Sequence, residues 1–148
     1  MHNYLTHLTL RLSDGVGRLP EDDRRHHVEY LRKAQQPDGG FAGREGGSDL
    51  YYTGFAVRAL AVLGELHGPL ATNAAGFLRR RMEGHESIVD FFSLIYAASL
   101  LNTAAGLDVF DASAADWRVG VARTLERLRR SDGGYAKALE GSASSTYH

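Results

Sequence analysis

From Asp49 to Gly64 the chain carries two charges, Asp49 and Arg58, and its apolar residues fall on every side of a helix. Apolarity all round predicts a helix enclosed by others. Glu86 to Leu101 reads the same way, with Asp90 the one charge after Glu86. The neighbouring segments instead carry a single apolar stripe. After Pro20, the residues Val28, Leu31 and Ala34 keep helical spacing, while Arg24, Arg25, Glu29, Arg32 and Lys33 take the solvent side. Pro20 suits a first helical position, Glu21, Asp22 and Asp23 favour a helix N-terminus, and Pro37 stops the helix. Phe77 and Leu78 mark the stripe within Ala71 to Met82, and Trp117, Val121, Leu125 and Leu128 mark it within Ala114 to Arg130. An opening apolar run holds Tyr4, Leu5, Leu8, Leu10 and Leu12. The pattern predicts helices near residues 3–13, 20–35, 49–64, 71–82, 86–101 and 114–130. Period-two alternation is sustained nowhere, so an all-α chain is expected.

The helices follow a period. Gln36-Pro37-Asp38-Gly39-Gly40-Phe41 returns as Arg130-Ser131-Asp132-Gly133-Gly134-Tyr135, which sets Asp38 and Asp132 94 residues apart. Half of that separation, counted from Asp38, lands on His85, in the Glu83-Gly84-His85-Glu86 break between two helical segments. Units of about 47 residues fall within the range of helical-pair repeats. Each would hold a one-faced helix outside and an apolar helix inside, giving two layers. Ser144, Ser145 and Thr146 supply N-cap residues for a third inner helix just before the chain ends at His148. Alternation alone fits an open solenoid or a closed ring equally well.

Gln36-Pro37-Asp38-Gly39-Gly40-Phe41-Ala42-Gly43, followed by Asp49-Leu50-Tyr51-Tyr52-Thr53-Gly54-Phe55-Ala56-Val57-Arg58-Ala59-Leu60, resembles the prenyltransferase and squalene-oxidase repeat. The resemblance implies an α/α toroid over residues 1–148, here a partial ring of outer amphipathic and inner apolar helices. It implies an isoprenoid or another apolar small molecule as ligand, bound or transferred when the ring is complete. The Asp-Gly-Gly-aromatic order also has a local account. A glycine takes the positive φ of the reversal and the aspartate accepts from the turn backbone, which makes Asp38 and Asp132 structural residues.

Composition narrows the chemistry. The formal net charge is -1, and of 17 basic residues two, Lys33 and Lys137, are lysine, so no global field draws in nucleic acid. With no cysteine there is no thiolate zinc site, and the Asp, Cys and His zinc centre of protein prenyltransferase β-subunits cannot be assembled. Squalene cyclases protonate an alkene with clustered acids, whereas Glu21-Asp22-Asp23 reads as helix N-terminal charge. His26 and His27 are adjacent on a helix and point about 100° apart, a poor pair for one metal. No metal or cofactor is expected. Arg79-Arg80-Arg81 and Arg127, Arg129 and Arg130 read as solvated faces. The apolar segments are too short to span a bilayer and hold Arg58 or Asp90, and the first residues do not form a secretory signal, so a cytoplasmic protein is expected.

The inner helices are where a site is expected. A charge in an apolar helix caps an end, pairs across helices or faces a cavity, which singles out Asp49, Arg58 and Asp90. Tyr51, Tyr52, Phe55, Phe91, Phe92 and Tyr96 could line a pocket. The expected substrate-binding residues are Tyr52, Asp90, Phe92 and Tyr96, with no catalytic residue assigned. A non-catalytic helical-repeat interaction module and a terpene-cyclase-related fragment stand as alternatives. An incomplete ring leaves apolar inner surface open, so either self-association or membership of a longer toroid is expected.

Overall fold

The computed structural model describes residues 4–82, 88–110, 117–137, 140 and 143–144. Among them are six helices: α1 (Tyr4–Val16), α2 (Glu21–Ala34), α3 (Leu50–Val62), α4 (Gly68–Arg81), α5 (Ile88–Ala105) and α6 (Trp117–Leu128). The stretch containing His85 and the residues after Ser144 lie outside the described part, as do the side chains of Trp117 and Val121. The helices fall where the apolar pattern places them, with shifted ends. α4 begins at Gly68 rather than 71, because Pro69 occupies its first turn. α5 runs on to Ala105 rather than 101 and stops where Gly106 takes a φ of +67°.

One departure from the all-α expectation is a sheet of two short antiparallel strands, β1 (Phe41–Ala42) and β2 (Ser48–Asp49), with Phe41 opposite Asp49 and Ala42 opposite Ser48. The chain must double back between α2 and α3, and pairing satisfies backbone groups that no helix takes up. Strands of two residues are too short to show alternation.

The core lies where α3, α4 and α5 meet. Leu50, Val57 and Leu60 of α3, Leu78 of α4 and Leu101 of α5 have no exposed surface. Small residues set the spacing: Ala71, Ala74 and Ala75 on α4 and Ala97 and Ala98 on α5 are buried. A Cβ added to Gly54 of α3 would stand 3.4 Å from the Ser93 Cβ of α5. One turn further along α3, the Arg58 guanidinium lies over the Tyr96 ring of α5 at 5.8 Å. The contacts advance in the same direction along both helices, so α3 and α5 run parallel.

The two Asp-Gly-Gly turns adopt one hydrogen-bonding pattern. In the first, the Gly39 N–H donates to Gln36 O at 2.8 Å, Gln36 N–H to Gly40 O at 2.9 Å, and Gly40 N–H to Asp38 Oδ1 at 3.0 Å. In the second, Gly133 donates to Arg130 at 2.9 Å, Arg130 to Gly134 at 2.8 Å, and Gly134 to Asp132 Oδ1 at 2.9 Å. Gly39 and Gly133 have φ of +86° and +84°, and each aspartate accepts a serine hydroxyl, from Ser48 and Ser144. These bonds give both aspartates the structural role expected of them.

Three exposed arginines near the helix ends, Arg32, Arg79 and Arg80, face solvent as expected and also make long-range contacts. Arg32 near the end of α2 donates to Glu65 at 2.7 Å. Arg79, at the corresponding place in α4, donates to Asp108 O at 2.6 Å and Val109 O at 3.3 Å, while Arg80 donates to Asp38 O. Arg32 and Arg79 thus tie the loops that follow the apolar helices α3 and α5, while Arg80 ties the Asp-Gly-Gly turn after α2.

Candidate functional site

On α3, Tyr51, Phe55, Arg58 and Val62 follow spacings of four, three and four, so they share one face, away from buried Val57 and Leu60. The face is aromatic at its start. Tyr51 is 45% exposed and Phe55 53%, and their rings meet edge to face with centroids 4.8 Å apart. Asp49 begins the helix: its side chain accepts the Tyr52 N–H at 2.7 Å, an N-cap bond. Of the readings open for Asp49, the structure takes the cap.

On α5, Phe92 is 50% exposed and lies next to Ser93, the residue that meets Gly54. Parallel α3 and α5 therefore bring Phe92 to the level of Phe55. Tyr96 follows one turn later, half-buried, with its ring against Arg58 and its hydroxyl 3.1 Å from Thr9 Oγ1 of α1. α1 packs on α3, and Ser13 and Val16 border a cleft of about 220 Å³ with Arg24 of α2 and Ala61 and Val62 of α3. The face is thus open around Tyr51, Phe55 and Phe92, and bordered by α1 at Ala61 and Val62.

Of the four residues singled out by sequence, Phe92 and Tyr96 come together beside α3. Tyr52 stands at the margin: its ring contacts that of Tyr51 edge-on at 5.5 Å and lies over Gly43, where a Cβ would come within 2.5 Å of it. Asp90 is half-buried in the first turn of α5, where its charge complements the helix N-terminus. Tyr51 and Phe55 belong to the exposed face more directly than Tyr52, and their i, i+4 spacing was the signal for it. Thr9 carried no signal, because a contact from α1 to α5 crosses 87 positions.

Arg58 is the charge at the centre of this face. It is half-buried, and among the described residues no carboxylate pairs with it and no acceptor takes its N–H groups. Elsewhere, Asp132 has its pKa held below the ordinary 3.8, first by the Ser144 hydroxyl and then by the Gly134 N–H, the bonds that tie its turn. No group of three or more potential metal ligands occurs among the described residues, and no helix there is long and apolar enough to cross a membrane. The surface is suited to contact with an apolar body through ring faces, with one guanidinium beside the rings. Comparison with protein-family models, with curated proteins and with solved structures finds no match for the chain.

Proposed function

We propose that the chain binds an isoprenoid or a similar apolar small molecule on the α3–α5 face, as a unit of a prenyltransferase-like α/α toroid. The observation that carries the reading is the exposure of Phe55 and Phe92, each half or more open, on adjacent parallel helices. Large apolar rings exposed on neighbouring helices favour a partner that removes them from water. The toroid part of the reading draws support from the shared pattern of the two Asp-Gly-Gly turns and from Arg32 and Arg79 bracing equivalent loops.

Titration with farnesol tests it. Covering a phenyl ring is worth about 1.5–3 kcal/mol, so Phe55→Ser with Phe92→Ser should weaken binding at least about tenfold. Both positions are exposed, so the variant should keep the wild-type melting curve. Wild-type binding that the double substitution leaves unchanged would place the ligand elsewhere.

A further inference from the structure

We infer that the ligand of this face ends in a single carboxylate, held by Arg58 and Tyr96. The inference rests on the reading of the α3–α5 face as a binding surface for an apolar molecule, and names the polar end of that molecule.

Arg58 is a charge set into an aromatic surface without a counter-ion among the described residues. A half-buried guanidinium loses part of its hydration, and such groups are ordinarily matched by a carboxylate or by hydrogen-bond acceptors. Arg58 has neither among the described residues; its contact is the Tyr96 ring, 5.8 Å from the guanidinium carbon. A contact of that kind attracts the cation to the ring without consuming its N–H donors, which remain available to an anion. Arg81 also lies over a ring, that of Phe77, while three other arginines of the described part are differently placed. Arg32 is paired with Glu65, Arg79 is bound to the 108–109 loop, and Arg80 to Asp38 O.

The donor set also selects the anion. One guanidinium fork offers two parallel N–H groups, which matches the two oxygens of a carboxylate. The Tyr96 hydroxyl, 3.1 Å from Thr9 Oγ1, is a further polar group beside it. A diphosphate spreads more charge over more oxygens than one arginine satisfies. Along the same face, Phe55 and Tyr51 precede Arg58 by three and seven residues, so an apolar chain anchored at Arg58 runs over their rings.

Farnesol and farnesoate share a skeleton and differ at the end, which makes them the probes. Wild type should bind farnesoate more tightly, and added salt should weaken farnesoate alone. Arg58→Met keeps the apolar stem of the side chain; it should lower farnesoate affinity about tenfold or more and leave farnesol within about twofold. Arg58→Lys should restore part of the loss, because it returns charge without the fork. Equal loss for both probes, or loss for neither, would overturn the carboxylate assignment while leaving the face as a binding surface. Failure of wild type to bind either probe would overturn the reading of the face itself, and the assignment with it. Unchanged thermal melting of Arg58→Met and Arg58→Lys confirms that affinity, not folding, is what the titrations read.

Discussion

Two glycines with nearly the same backbone angle make opposite demands on their surroundings. Gly39 has φ +86°, and a Cβ there would lie 2.2 Å from Asn73 O of α4, so both conformation and space exclude a side chain. Gly64 has φ +74° at the end of α3, with open space where its Cβ would be. Gly64→Ala should cost about 1 kcal/mol, the conformational part alone, whereas Gly39→Ala should cost about 2–4 kcal/mol because α4 must also give way. Urea melts of the two variants compare them directly, and equal losses would mean that the turn does not press on α4. The requirement for glycine in the Asp-Gly-Gly turn was legible in sequence from the order of its residues. The pressure on Asn73 was not, since nothing local to Asp38-Gly39-Gly40 says that α4 will cross it.

At the scale of elements, apolar periodicity located each of the six helices of the described residues, because the difference between a one-faced α2 and an α3 apolar all round is written in residue type. It could not show β1 and β2, whose two-residue length leaves no period. Nor could it give the arginines their partners. Arg79 lies in a run of three arginines that reads as a polar face, yet it binds the carbonyls of Asp108 and Val109. Charged donors to backbone carbonyls are stronger than exposed ion pairs. Arg79→Ala should therefore cost about 1–2 kcal/mol and speed amide exchange in residues 106–110, while Arg32→Ala, which breaks a pair with Glu65, should cost about 0.5 kcal/mol. A larger loss for Arg32→Ala would reverse that ranking. The candidate site was half legible for the same reason. Its aromatic residues were visible in α3 and α5, but which of them share a face depends on how the two helices lie side by side.

For the molecule as a whole, small residues decide how closely its helices assemble. Ala75 is 1% exposed in the α4 surface that meets the rest of the core. Ala75→Leu overfills that space and should cost about 1–3 kcal/mol, whereas Leu10→Ser, at a position 60% exposed on α1, should stay within about 0.5 kcal/mol. Thermal melts of both separate a tightly seated α4 from a loosely packed one, which would tolerate leucine. The close approach at Gly54 and Ser93 carries an electrostatic consequence as well. Helices that run the same way side by side set their positive dipole ends next to each other, and so repel laterally. Asp49 stands at the start of α3 and Asp90 in the first turn of α5, one carboxylate for each of those ends. The two acids that interrupt otherwise apolar sequence thus neutralise the field that two like-directed helices would turn on each other.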